Sequence, residues 1–264
     1  YVFPGYRGLT TQLLVMILFA LSVDLVVGYA GIVTLGHAAF YGLGAYVAAL
    51  LAKMGWAEPV SLLVVAAVGG ALLAYVTGWI ILRTEGLTLL MLTMAVTIML
   101  YELATELDSV TGGFDGVNFE PGKMLGLIEF DPIYYETNYF YALVFLFLGF
   151  VLIRALVHSP FGRSLVGIRE NVTRMHAIGT PVLRRQVSVY AISGAIAAVA
   201  GALFAQVQGN VTPNVFSFEL SGEVLIMVIL GGVGRLYGAF IGAALFFVLR
   251  DITEQVLGTS LPWW

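Results

Sequence analysis

Five stretches of this chain, residues 9–27, 60–82, 86–105, 138–157 and 187–208, run for about twenty residues each with at most one charged side chain. A helix needs about 20 apolar residues to cross the hydrocarbon core of a bilayer, so each stretch is long enough to span. Inside lipid every backbone polar group must be satisfied internally, which leaves only helices and closed barrels. The runs are continuous and do not alternate in ten-residue strands, and helices follow. Three further apolar pieces, 38–52, 224–234 and 236–250, are too short or too glycine-broken for simple spans. They read as short, tilted or interrupted helices held inside protein, where irregular backbone is tolerated at membrane depth. The expected fold is an all-α integral membrane protein, a polytopic bundle of about eight transmembrane or partly spanning helices.

Composition excludes most other classes. Hydrophobic residues make up 60% and charged ones 11%, against about 45–50% and about 25% in a soluble domain. That leaves no soluble domain and no basic surface for nucleic acid, so one transmembrane domain is expected over 1–264. There is no cysteine, hence no disulfide framework and no thiolate metal site, and His37, His158 and His176 are too far apart for a zinc motif. No metal ligand set and no catalytic residue is expected. The chain starts at Tyr1 without a methionine, which leaves a preceding segment open.

Charge orients the bundle. Arg154, Arg163, Arg169, Arg174, Arg184 and Arg185 lie in or beside the loop 158–186. The loop 106–137 instead carries Glu106, Asp108, Asp115, Glu120, Glu129, Asp131 and Glu136 against Lys123. The positive-inside rule makes the first loop cytoplasmic and the second external.

The basic loop contains its own helix signal. Ser159 can cap a helix with Pro160 at its first position, and Gly179 before Pro181 supplies a stop, which predicts one cytoplasmic helix from Pro160 to Ile178. Phe161, Leu165, Ile168, Val172 and Met175 form one apolar stripe, with Arg163, Arg169, Glu170 and Arg174 on other faces. Such a helix either lies on the membrane surface or docks in a groove of a cytoplasmic partner.

Small residues recur at interhelical spacing. Gly234, Gly238 and Gly242 are four apart, as are Gly70, Ala74 and Gly78, which fits close helix packing. Gly231 and Gly232 also fit a helix break beside a pathway. In "GYAGIVTLGHAAFYGLGAY", from Gly28, a helix end, a glycine-rich turn and a short returning helix are expected, with Thr34, Gly36 and His37 either lining a pathway or only shaping it. Intramembrane acids are costly and face the bundle interior or water. Asp24, Glu102 and Glu223 are the three that can be named, and they form no series of the kind a proton relay needs. No phosphate-binding loop, nucleophile elbow or zinc-protease motif occurs. Uphill transport would therefore draw its energy from another chain.

Six blocks, "GYAGIVTLGHAAFYGLGAYVAALL", "RTEGLTLLMLTMAVTIML", "SVTGGFDGV", "SPFGRSLVGIREN", "AAVAGALFAQVQGNVTP" and "VLIMVILGGVGRLYGAFIGA", occur in this order and resemble the branched-chain amino acid ABC transporter permeases, in particular the LivM-type subunit. The resemblance implies half of a heterodimeric importer permease in a bacterial inner membrane, paired with a LivH-type subunit, two cytoplasmic ATPases and a periplasmic binding protein. ATP and Mg would be bound by the ATPases and no cofactor by this chain. It further implies that Phe161, Arg163, Leu165, Ile168, Arg169, Glu170 and Gly179 belong to an ATPase-coupling segment, and that Phe114, Asp115 and Gly116 form part of a docking face or pathway mouth. The chain departs from the family pattern at Ile32 and Thr34, at Thr173, Arg174 and Met175, and at Arg235 and Ala239, which leaves its substrate open among branched-chain amino acids and related small carboxylates or amides. A secondary transporter driven by an ion gradient and a channel-like facilitator are the rival classes.

Overall fold

The computed structural model describes residues 7–56, 58–119 and 135–257. Helix α1 (Arg7–Asp24) runs on into a π-helical turn, Leu25–Tyr29, and is followed by α2 (His37–Lys53), α3 (Pro59–Ile81), α4 (Leu87–Glu106) and the short α5 (Asp108–Thr111). After α6 (Tyr135–His158) come α7 (Pro160–Glu170), α8 (Val172–Ala177), α9 (Val182–Gln208), α10 (Phe218–Gly231) and α11 (Leu236–Leu257). Among the described residues six helices are long and apolar enough to cross a membrane: α1 with its turn, α3, α4, α6, α9 and α11. Helices α2, of 17 residues, and α10, of 14, are the shorter pieces between them. The expected polytopic helical bundle with short, glycine-broken helices is what the chain forms. One piece differs from expectation. The stretch 236–250 is the start of a 22-residue helix that continues past Arg250 and Asp251, because a charged residue ends an apolar window but not a helix, and arginine is a good helix former. Glu120, Lys123, Glu129 and Asp131 of the acidic loop lie outside the described residues.

Helices α1 and α9 form the middle of the bundle, with 78% and 61% of their apolar windows buried, and α2 and α3 both pack directly on α9 and on each other. The windows of α3, α4, α6 and α11 are only 22–28% buried. Their outer faces are left to lipid or to another subunit. Close approach at the centre depends on small residues, since lipid tails give helices no hydrophobic reason to associate. A side chain at Gly44 of α2 would run into the Ala198 backbone of α9, and one at Gly70 of α3 would meet Ala198 and Gly194.

Long-range bonds sort the connections into two faces. At one, β1 (Val117–Asn118) pairs antiparallel with β2 (Asn210–Val211), tying the turn after α4 to the end of α9. The Gln206 amide of α9 donates to the Pro59 carbonyl at the start of α3 (2.9 Å) and its oxygen accepts from the Tyr141 hydroxyl of α6 (2.9 Å). At the other face Arg169, in the last turn of α7, reaches the π turn after α1.

The segment predicted as one helix over 160–178 is two. Ser159 and Pro160 do start it, with Ser159 Oγ accepting from Gly162 N–H (3.3 Å). At Asn171 the backbone is extended (φ −158°, ψ 98°), and Asn171 Oδ1 accepts from Arg174 N–H (2.8 Å) to begin α8. An Asn side chain competes with the helix for backbone donors, and here it restarts the helix. The apolar stripe splits accordingly. Leu165 and Ile168 are buried beneath α7, whereas Val172 on α8 is exposed.

Candidate functional site

The bundle holds a half-open cavity of about 520 Å³ at the face that carries β1 and β2. Gln12 and Met16 of α1, Glu223 and Met227 of α10, and Phe247 and Arg250 of α11 line three of its walls. Tyr41 of α2, Phe204 of α9 and the amide side chains Gln208, Asn210 and Asn214 complete it. Its polar groups are unevenly charged, one guanidinium against two carboxylates. Glu223 is attracted by Arg250 and repelled by Glu219 on the preceding turn of α10. The Tyr41 hydroxyl is buried and has no hydrogen-bond partner among the described residues. Such a lining can hold a small molecule with a cationic and an anionic group close together and an apolar remainder. Apolar walls with a few converging polar groups are the usual make-up of a small-molecule site.

At the opposite face four segments meet. Asp24, the last residue of α1 and 1% exposed, accepts the Gly234 N–H on Oδ1 (2.7 Å) in the turn between α10 and α11. Arg169 Nη1 donates to the Gly28 carbonyl in the π turn. Gly28 lies so close to the Asp24 carboxylate and the Gly234 backbone that no side chain fits there, and Gly234 itself has φ +79°. Gly31 lies under the alkyl stem of Arg169.

The predicted site residues divide between several places. Thr34, Gly36 and His37 are buried at the start of α2 and do not line the cavity. The Thr34 hydroxyl accepts from Gly36 N–H (3.0 Å), and Ser221 Oγ of α10 accepts from Ala38 N–H (3.0 Å), so side chains serve the free donors of the first turn. Ser193 of α9 directs its single hydroxyl hydrogen to the Ser22 carbonyl of α1 (2.6 Å). His37 Nε2, 2.7 Å from Ser193 Oγ, is therefore the donor of that pair and Nδ1 is bare, without a partner among the described residues. His37 thus ties α1, α2 and α9 together, with its ring set edge-on to Phe40 and Tyr190.

Phe114 and Asp115 are exposed on the turn before β1. Gly231 and Gly232 end α10 on the Arg169 face, away from the cavity. Gly238 packs on the Gly231 and Gly232 carbonyls and Gly242 on that of Met227, while Gly234 lies in the turn just before α11. In α7, Leu165 and Ile168 face inward, Phe161 lies under the Arg185 guanidinium (5.2 Å to the ring centre), and Arg163, Arg169 and Glu170 are exposed. Gly179 is exposed after α8 with φ +80°.

The family described as branched-chain amino acid transport system / permease component matches residues 6–264. The chain belongs to that family. It is 29% identical over 272 residues to the high-affinity branched-chain amino acid transport system permease protein LivM of Salmonella typhimurium, covering 95% of this chain and 64% of the relative. LivH of the same organism is 26% identical, over 92% of this chain and 83% of LivH. The autoinducer 2 import system permease protein LsrC of Klebsiella pneumoniae is 32% identical over 41% of this chain and 33% of its own length. The chain thus spans a little under two thirds of the length of LivM. No solved structure matches it.

The charged cavity is the feature that composition and periodicity do not reveal. Glu219, Glu223 and Arg250 are scattered over two helices, and Arg250 ended an apolar window instead of marking a wall. The single available signal was Glu223 inside a short apolar piece, one of the three intramembrane acids, with no indication that α11 would return an arginine to it.

Proposed function

We propose that the chain is the membrane-spanning half of an ATP-driven importer in a bacterial plasma membrane, working with a second, LivH-type permease half, two cytoplasmic ATPases and an external binding protein. The chain itself then performs no covalent chemistry and holds no cofactor, since ATP and Mg bind the ATPases. The basic connections at the α7 face are cytoplasmic and the β1–β2 face is external, in keeping with the positive-inside rule. Helix α11 starts beside Gly234 on the cytoplasmic face and runs outward, which carries the end of the described chain to the external side. The exposed Phe114 and Asp115 belong to the face that receives the binding protein.

The observation that carries this reading is the charged, part-apolar cavity under the external face, in a family whose description is amino acid permeation. An α-amino acid zwitterion with an apolar side chain matches it group for group. Arg250 faces the carboxylate, Glu219 and Glu223 the ammonium, and Met16, Phe204, Met227 and Phe247 the side chain. With two carboxylates against one guanidinium the lining disfavours a simple carboxylate anion, so the zwitterion is preferred over the simple carboxylates that the sequence leaves open.

Purification from native membranes, followed by reconstitution, tests the reading. The expected result is a complex containing two ATPase chains and a second permease, and uptake of leucine, isoleucine or valine into proteoliposomes only when ATP reaches the ATPase side. A self-sufficient homo-oligomer that moves solute down a gradient or on a proton gradient would overturn it.

A further inference from the structure

We infer that Asp24 and Arg169 form the joint through which the coupling segment moves the cavity walls. The inference rests on reading α7 and α8 as that segment. The residues that α7 buries, Leu165 and Ile168, hold it to the bundle by non-directional apolar contact. Arg169, at its C-terminal end, makes the directional one, from Nη1 to the Gly28 carbonyl. Gly28 is in van der Waals contact with the Asp24 carboxylate and with Gly234, and Asp24 Oδ1 holds the Gly234 N–H. One continuous chain of polar and packed contacts therefore runs from the end of α7 through the end of α1 to the start of α11.

Those helices are walls of the cavity at their far ends, α1 by Gln12 and Met16, α11 by Phe247 and Arg250, and α10, which shares the Gly231–Gly234 turn, by Glu223 and Met227. A rotation of any of them about the joint displaces the cavity. Helices α2 and α9 are bolted to α1 around His37, Ser193 and the Ser22 carbonyl, just before the joint, so that packed group steadies the end of α1 on which Arg169 acts. The joint is also incompletely satisfied. Asp24 is 1% exposed, yet Oδ2 has no hydrogen-bond partner among the described residues, while the Arg169 guanidinium stands in electrostatic reach. A half-satisfied buried carboxylate is costly where it stands and has a second available arrangement, with the guanidinium on Oδ2. Gly28 and Asp24 both belong to the end of α1 and its π turn, so in either arrangement the guanidinium keeps α7 and that end together. The π turn at the same point fits, since a widened helix turn loosens the ladder and is common at functional positions.

The test uses the whole transporter, and three variants: Asp24→Asn, which keeps an oxygen for Gly234 N–H but removes the charge, Arg169→Gln, and the conservative Arg169→Lys. Assembly with the ATPases and leucine binding are expected to stay at the level of the unaltered protein. ATP-driven uptake in Asp24→Asn and Arg169→Gln falls about ten- to hundredfold, the range for losing a charge-assisted hydrogen bond, while ATP hydrolysis continues. Arg169→Lys, still able to donate to Gly28, recovers part of the uptake. Uptake per ATP hydrolysed that is unchanged in both charge-removing variants overturns the inference and leaves the importer reading intact, whereas absence of ATPases from the purified complex fails the importer reading first. A second readout uses the lack of cysteine in the chain. Spin labels on cysteines at the exposed positions Val33 and Glu170 report the distance across the joint. In the unaltered joint that distance stays single and constant through the nucleotide cycle, and in Arg169→Gln it broadens. A distance that already changes with nucleotide in the unaltered joint shows that α7 and the α1 end do not move together, and overturns the inference.

Discussion

The two faces of the bundle are built on opposite principles. At the α7 face, backbones touch at Gly28 and Gly234, a buried carboxylate holds one amide N–H and a guanidinium one carbonyl, and no room is left for a side chain. At the β1–β2 face the same helices splay around about 520 Å³ lined by charges, amides and apolar side chains. Tight packing transmits displacement and an open polar cavity receives a molecule, so each face has the physical properties that the other's task would forbid. Substitutions should therefore act on stability and coupling at one face and on solute binding at the other.

The largest effect is expected inside α7. Ile168→Ala removes a side chain that is 1% exposed beneath the helix and should cost about 2–5 kcal/mol, read as a lower unfolding temperature in detergent. Glu170→Ala, two residues on and exposed, should leave that temperature unchanged and alter only the ratio of uptake to ATP hydrolysis. Were Ile168→Ala to uncouple transport with no loss of stability, the packed face would be meeting its partner through that side chain and the contrast between the faces would fail.

Next in size is the cavity. Arg250→Ala should weaken leucine binding by about ten- to hundredfold, from loss of a charge-assisted contact of about 1.5–3 kcal/mol, with the change in unfolding temperature much smaller than for Ile168→Ala. Arg250→Lys keeps the charge facing Glu223 and should lose less. Titration calorimetry on the detergent-solubilised complex measures both. Equal losses of binding and stability would make Arg250 a structural counter-ion and not a ligand group.

His37 lies between the two regimes. His37→Phe keeps the edge-on aromatic contacts but removes the donor to Ser193, leaving one buried lone pair unserved at a cost of about 1–3 kcal/mol. The expected outcome is lower thermal stability with unchanged preference among leucine, isoleucine and valine. A shifted preference would place His37 on the solute route after all.

What the sequence makes legible follows from the range of the forces involved. Apolar length and charge asymmetry are local, and they give the spans, the short pieces and the opposite character of the 106–137 and 158–186 loops. The Ser159–Pro160 start and the Gly179 stop are equally local. The break at Asn171 is local too, but an Asn inside an apolar stripe is outvoted when a helix is read by periodicity, so Pro160–Ile178 looks continuous until its cap is seen. The cavity and the joint are non-local. Asp24 meets Gly234 across 210 positions, and His37 meets Ser193 across 156. No spacing rule links such residues, and only the return of α11 alongside α1 brings Arg250 towards Glu223. Intramembrane polarity marked Asp24, His37 and Glu223 singly. It could not sort the first two into packing and the third into the cavity wall, because each is expensive in lipid for the same reason.

The smallest effect expected is also the most direct measure of how open the cavity face is. Gly222 lies in α10 between Ser221, which serves the first turn of α2, and Glu223, which faces the cavity, and a Cβ there meets nothing within 4 Å. A glycine inside a helix costs about 0.5–1 kcal/mol relative to alanine through backbone entropy. Gly222→Ala should raise the unfolding temperature by a degree or a few, with leucine affinity unchanged, because the methyl group enters open space beside the wall. Uptake rate is the quantity to follow alongside it. If α10 has to flex at this point for solute to leave the cavity, the stiffer helix will transport more slowly at the same affinity. If it moves as a rigid lever about the Gly231–Gly234 turn, the rate will be unaffected and the hinge is confined to the packed face.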